Sequence, residues 1–323
     1  MMEFLRQVQA ADDARSEALR ALGGLLFGTA VLVLLIRRTS FENPWDDFPL
    51  LVAWLVPALV LYGGGIAAAR ASAPRMWHAV WVVFGILFVY GTLIQFLTLI
   101  EGNPDAPLNT VWTLLVVAAV AAIAALVANV RFGWLVAGIA LAIAWLALWD
   151  EILENGVTDD IGTFRGLCMV AAVVLVAGAW LVERRGRERS ESAELVTAGG
   201  LIFLLGAGLV SLVGVFGGFF FPVDVSSTET GGAEPSLLWD VVLLGGSIAL
   251  IAAGSFAGSR GSIYVGAVGI LTFVVLVGSD LDDDSPAGKI VGWPLVLLVV
   301  SLVAIAASVL AARDQVGDRD HSP

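Results

Sequence analysis

Long apolar runs dominate the chain and are separated by short charged or Pro/Gly-containing connections. A membrane-spanning helix needs about 20 mostly apolar residues, and most of the runs approach or exceed that length. Strands of a membrane barrel would alternate polar and apolar positions, whereas these runs are apolar all round. The pattern predicts an all-α, polytopic transmembrane helical bundle of about ten spans. They are Leu19–Ile36, Phe48–Ala69, Trp77–Ile100, Thr110–Val130, Phe132–Trp149, Gly166–Val182, Leu195–Phe221, Leu237–Ala257, Ser262–Ser279 and Ile290–Ala312.

The flanks of the bundle are charged. Residues 1–18 form a charged segment that we expect to be amphipathic and cytoplasmic, and it lacks a signal-peptide cleavage motif. Residues 19–312 form the transmembrane domain. Residues 313–323 are expected to be a disordered cytoplasmic tail.

Arginine placement predicts the orientation. Most basic residues lie in the N-terminal segment, the even-numbered connections and the tail. Because cytoplasmic loops carry the excess of Lys and Arg, both termini are expected in the cytoplasm. The acidic residues lie mainly in the odd-numbered connections, which gives an acidic outer face. Arg37 and Arg38, at the outer end of the first span, do not fit this rule. The first span is therefore the one whose prediction has the least support.

The amino-acid composition agrees with a membrane location and limits the kinds of partner that we expect. The chain is 59% apolar and 14% charged, and a soluble domain averages about 45–50% and about 25%. The lipid bilayer is therefore the expected partner. A net charge of −12 argues against nucleic acid, which is bound through clustered Lys and Arg. The 16 Arg and one Lys indicate a GC-rich prokaryotic genome, so the expected location is a prokaryotic cell membrane.

Two short similarities predict an internal duplication. Residues 21–27 (ALGGLLF) resemble residues 197–203 (TAGGLIF), and residues 85–87 match residues 269–271. Spans 1–4 would then be a four-span unit repeated in parallel as spans 7–10, with spans 5 and 6 between them. A five-plus-five inverted repeat is the alternative, because the first and sixth spans both end in paired arginines.

Helix breaks mark the first candidate site. Pro57 lies within the second span and is followed by three glycines that include Gly64, and the eighth span carries Gly245 next to Gly246. Interrupted helices at matching positions of two halves often form a transporter binding site. Asp240, one turn into the eighth span, is the candidate coupling carboxylate, since a charge in the membrane is costly. An interfacial carboxylate in contact with water is the alternative for Asp240.

Other polar residues in the spans have structural interpretations. Gln95 and Asn129 are expected to hydrogen-bond between helices, with pathway lining as the alternative. Arg165 is expected to extend towards the headgroups. His78 and the single cysteine, Cys168, have no partners in sequence for a metal site. No metal, cofactor or catalytic residue is therefore predicted, and the acidic loop at residues 280–285 lacks the spacing of a calcium-binding loop.

The sequence names no substrate. Catalytic motifs such as Gly-x-Ser-x-Gly and His-Glu-x-x-His are absent from it. We therefore expect a non-enzymatic structural or accessory membrane protein that packs with itself or with a membrane protein partner. A small-molecule or ion transporter that uses broken helices 2 and 8 is the second hypothesis. A membrane-embedded lipid-modifying enzyme is the third and weakest.

Overall fold

The computed structural model describes residues 2–40, 45–71, 76–104, 106–153, 161–184, 189–209, 237–257 and 259–279. These residues form helices and turns, and no strand occurs among them. The chain is thus all-helical in the part that the structure describes, as predicted.

Within the described ranges, nine helices follow the order of the predicted spans. Two of them contain a π-helical turn, which we include in the helix: α2 consists of Asp47–Ala58, the π turn Leu59–Gly63 and Gly64–Ala71, and α7 consists of Arg189–Leu204 and the π turn Leu205–Leu209. The others are α1 (Met2–Ser40), α3 (Met76–Leu99), α4 (Pro107–Ala128), α5 (Phe132–Ile152), α6 (Ile161–Arg184), α8 (Leu237–Ala257) and α9 (Arg260–Ser279).

Eight of these helices, α1 to α8, are long and apolar enough to cross a membrane. Such a set fits a multi-pass membrane protein. Helix α9 contains a shorter apolar stretch, Arg260–Val274. The predicted tenth span and the acidic loop at residues 280–285 lie outside the described residues, as do residue 1, the tail at 313–323 and the predicted seventh span beyond residue 209.

Contacts between helix ends define two ends of the bundle. At one end the guanidinium of Arg20 in α1 lies 5.6 Å from the ring centre of Trp77 in α3. At the other end Gln95, late in α3, donates a hydrogen bond to Asp47 at the start of α2. Helices α2 and α3 therefore run antiparallel. The same holds for α6 and α7, because Gly199 meets Ala172 and Gly206 meets Cys168. We call the end with Arg20 the basic end and the end with Asp47 the acidic end.

The apolar core has four clusters that follow the chain. One joins α1, α2 and α3 around Leu61 and Phe88, and the next joins α2 to α5 around Ala121 and Ala124. A third joins α5, α6 and α7 around Cys168 and Ala198. The fourth joins α6 to α9 and contains Leu204, Ala207, Leu243, Leu244, Val265 and Phe273. Helix α7 packs against α5, α6, α8 and α9 and is therefore the central helix of the second half.

Two groups of three helices pack in matching ways. Helix α3 packs against α1 and α2, and α9 packs against α7 and α8. Gly24 of α1 faces Trp81 of α3, and its counterpart in the similar segments, Gly200 of α7, faces Leu250 of α8 and also Val265 of α9. Trp81 lies four positions before Gly85 of α3. Val265 likewise lies four positions before Gly269 of α9, and these two glycines match in the similar segments.

Gly85 of α3 and Gly269 of α9, which match in the similar segments, each lie close to a neighbouring helix. A Cβ added at Gly85 would lie 2.5 Å from the backbone nitrogen of Tyr62 in α2. At Gly269 an added Cβ would overlap the side chain of Ser247 in α8. The short stretches of similar sequence therefore occupy similar helix crossings.

Candidate functional site

The clearest charged site lies between α6 and α8 at the acidic end. Arg165 is only 7% exposed, and its guanidinium lies 5.2 Å from the ring centre of Trp239. Asp240, the next residue after Trp239, interacts electrostatically with Arg165. Arg165 therefore does not extend to the headgroups as expected, because the aromatic face and the carboxylate hold it inside the bundle.

The π turn of α7 lies against this charged site. Gly206 is so close to α6 that an added Cβ would lie 2.5 Å from the Cβ of Cys168 and 3.6 Å from the carbonyl oxygen of Arg165. Turns of π-helix occur frequently at functional sites. Arg165, Asp240 and the π turn thus form one candidate site, in which Cys168 is a buried free thiol.

A second polar cluster lies at the basic end, where α7 begins. The indole nitrogen of Trp134 in α5 donates a hydrogen bond of 3.3 Å to the carboxylate of Glu191, which is 8% exposed. Arg131, at the start of α5, interacts electrostatically with Glu194. Two carboxylates of α7 are therefore held by α5.

Hydroxyl groups continue this cluster into the bundle. The hydroxyls of Thr197 in α7 and Ser262 in α9 lie 3.1 Å apart and are both buried. Ser259 lies 3.3 Å from Ser262. Farther along, the buried Ser247 of α8 donates to the carbonyl of Leu243 in its own helix. The buried polar side chains of α7, α8 and α9 thus lie at helix contacts.

The residues singled out in the first half lie away from Asp240. Gln95 is buried, and its amide nitrogen lies 3.3 Å from the carboxylate of Asp47. Pro57 is buried in α2, two residues before its π turn, and Gly64 follows that turn beside Trp81. Helix α2 therefore contains a π turn near Pro57, but its backbone continues through this turn as one helix. Pro57 lies in α2 and Gln95 in α3, whereas Asp240 of α8 lies beside Arg165 of α6. These residues therefore do not line one common site.

Two predicted features differ in the structure. Helix α8 is continuous through Gly245 and Gly246, so the interruption expected there is not found. Gly245 faces open space, and Gly246 faces the ring of Phe203 in α7, so one glycine of the pair serves packing. Asn129 is exposed and ends α4 in the left-handed conformation (φ 51°), which an asparagine tolerates well. Asn129 therefore ends helix α4 instead of joining two helices as predicted.

Sequence reasoning did not identify Glu191 and Glu194. The sequence predicts that the seventh span begins at Leu195, because charged residues normally end a span. The helix instead begins at Arg189, and the half-buried Trp134 and the exposed Arg131 of α5 accommodate the acids. The only signal was the weak apolar character of this span, which is the least apolar of the eight.

Comparisons with protein-family models, with curated proteins and with solved structures find no match to the chain. No group of three or more His, Cys, Asp or Glu side chains that could hold a metal ion occurs within the described ranges. The candidate sites must therefore be interpreted from their own contacts.

Proposed function

We propose that the chain is a non-enzymatic structural or accessory protein of the cell membrane, which packs with itself or with a membrane protein partner. The observation that carries this proposal is how the described helices use their polar side chains. Gln95 bridges α3 to α2, Thr197 bridges α7 to α9, and Arg165 bridges α6 to α8. Such contacts hold helices together, whereas a permeation path needs polar groups around a shared cavity.

The proposed bundle has about ten spans and arises from duplication of a four-span unit in parallel. Support comes from the matching crossings of Gly24 with Trp81 and of Gly200 with Val265. The inverted alternative would pair α1 with α6 and α3 with α8. Its support is the presence of π turns in α2 and α7, but α1 packs mainly against α3, whereas α6 packs mainly against α7.

Native mass spectrometry of the full chain, extracted from its own membrane in polymer-bounded lipid discs, tests the accessory role. We expect a complex of fixed stoichiometry, either of several copies or with a second membrane protein. A chain that is monomeric and alone under these conditions would contradict the proposal.

Ion or small-molecule transport is the second candidate, and one observation favours it. Helix α7 is the least apolar of the eight candidate spans and also the most buried. It connects the basic-end carboxylates to the π turn beside Arg165 and Asp240. A polar helix in the centre of a bundle is typical of a substrate pathway.

Proteoliposomes that contain a pH-sensitive or sodium-sensitive dye distinguish the two candidates. Under the accessory role, the full chain produces no flux above that of empty vesicles. A flux that Asp240→Asn abolishes and Glu151→Gln preserves would replace the accessory role with transport. Glu151 is the matched control because it is an exposed acid of the same end.

A further inference from the structure

One exposed side of α6 changes from aliphatic to aromatic to basic towards the basic end of the bundle. Val173, Ala177, Trp180 and Arg184 are four, three and four residues apart, so they line up along one side of the helix. All four are exposed. The opposite side of the helix includes Leu175 and packs inside the bundle. We call these four exposed residues the α6 stripe.

The tryptophan of the stripe holds the arginine. The guanidinium of Arg184 lies 3.6 Å from the ring centre of Trp180, one turn earlier. Such stacking uses the flat face of the guanidinium and leaves its in-plane N–H donors for a second contact. Phosphate is an acceptor that fits this planar fork with two parallel hydrogen bonds. Trp180 is 52% exposed, and tryptophan is enriched where a membrane meets water.

The length of α6 places Arg184 at the edge of the hydrocarbon. Arg165 and Arg184 are separated by about 28 Å along the helix, which is close to the hydrocarbon thickness of about 30 Å. Val173 lies about 16 Å from Arg184 along the same axis. The stripe therefore extends from about the middle of the bilayer to one surface. An acyl chain beside Val173 would have its phosphate at the level of Arg184.

The charge around Arg184 favours an anionic lipid. Residues 184–189 contain four arginines and one glutamate, and Arg70 and Arg131 are also exposed at the basic end. Basic clusters at the end of a membrane helix attract anionic lipids. Glu183 is an exposed acid next to Arg184, but its position is about 100° around the helix from that of Arg184. The acid therefore lies beside the stripe and not within it.

We propose that the α6 stripe binds an anionic phospholipid from the leaflet at the basic end. The phosphate is bound by Arg184, Trp180 lies at the glycerol level, and an acyl chain packs along Ala177 and Val173. The aliphatic, aromatic and basic residues of the stripe follow the order of the acyl chain, glycerol and phosphate of the lipid. The inference goes beyond the proposed function, since it holds for an accessory protein and for a transporter alike.

Photo-crosslinking in liposomes tests which lipid occupies the stripe. The full chain, with p-benzoylphenylalanine in place of Ala177, is reconstituted in equal amounts of phosphatidylglycerol and phosphatidylcholine. The choline cation of the second lipid opposes binding to arginine, so we expect phosphatidylglycerol adducts to be several-fold enriched. Leu181 is the control position, because it is 53% exposed and lies about 100° around the helix from Trp180. It should report the bulk ratio of the two lipids.

Variants of the cation–π pair provide a second measurement. Arg184→Gln should lower the phosphatidylglycerol retained by the chain in native mass spectrometry about five-fold, and Trp180→Leu should lower it about two-fold. Arg184→Lys should restore only part of the retention, because an ammonium keeps the charge but lacks the planar fork. Arg70→Gln is the matched control, since Arg70 is an exposed arginine of the same end, and it should change retention little.

Four results would overturn the site. The first is the same lipid ratio at Ala177 and Leu181, and the second is an equal loss of retention in Arg184→Gln and Arg70→Gln, which would indicate general attraction to the whole basic end. The third is displacement of the lipid by inorganic phosphate, which would make free phosphate the ligand. The fourth is a protein adduct at Ala177 in native membranes. The accessory role depends on the stoichiometry of protein subunits and would be unaffected by the first three results.

Discussion

At the scale of single residues, some of the buried polar groups pair across helices. The hydroxyls of Thr197 and Ser262 lie 3.1 Å apart, and Thr197 also donates to the carbonyl of Ala193. A membrane offers no water to replace such bonds. The value of each contact is nevertheless modest, since an unfolded helix in the membrane finds other polar partners.

A double-mutant cycle of Thr197→Val and Ser262→Ala measures this contact. We expect a coupling free energy of about 0.6 kcal/mol, with about 1.7 kcal/mol as the upper bound for such bonds. Unfolding in bicelles gives the value for each variant. Ser255 is the control partner, because it is exposed and bonds only to the carbonyl of Ile251 in its own helix. Equal coupling with Ser255→Ala would contradict a direct Thr197–Ser262 interaction.

The charges of Arg165 and Asp240 are expected to depend on each other. Removing one member leaves the other charge in the bundle without its counterpart, which costs about 1–3 kcal/mol. Arg165→Met and Asp240→Asn should therefore each lower the unfolding free energy. The double variant should be less destabilised than the sum of the two. Strict additivity in the same unfolding assay would show that the pair makes no energetic contribution.

At the scale of helices, the sequence predicted the presence and the order of the helices better than it predicted where each helix ends or is interrupted. The apolar runs predict ten spans, and the nine helices in the described part of the chain follow their order, because a span needs a long apolar stretch. The start of α7 was wrong because Glu191 and Glu194 are held by Trp134 and Arg131 of another helix, and no local pattern contains that contact. Pro57 correctly indicated an irregular second helix, whereas Gly245 and Gly246 did not interrupt α8.

The two glycines of α8 should respond differently to substitution. Gly246→Leu forces a side chain into the ring of Phe203, and overpacking of this kind costs about 1–3 kcal/mol or more. Gly245→Leu adds a side chain to open space and should leave thermal stability unchanged within error. Thermal unfolding in detergent compares the variants directly. A larger loss of thermal stability in Gly245→Leu than in Gly246→Leu would contradict the described packing of α8 on α7.

At the scale of the whole molecule, exposed charges mark both ends of the described bundle, although each end also carries charges of the other sign. Exposed arginines such as Arg70 and Arg184 mark the basic end, and Asp47 and Glu151 mark the acidic end. The positive-inside rule acts on loops and needs no tertiary contact, so the sequence alone can predict an orientation. The central position of α7 could not be predicted, since it depends on which helices surround it.

Arg38 provides the most demanding test of the orientation. Its guanidinium lies 5.4 Å from the ring centre of Trp45, just before α2, so a cation–π contact holds this positive charge at the acidic end. In the Cys168→Ala background, Arg38→Cys and Glu151→Cys should react with a membrane-impermeant maleimide in intact cells. Arg70→Cys and Arg184→Cys should react only after permeabilisation. If Arg38→Cys alone behaved like the basic-end positions, α1 would not cross the membrane as proposed, while reversal of all four would invert the whole bundle.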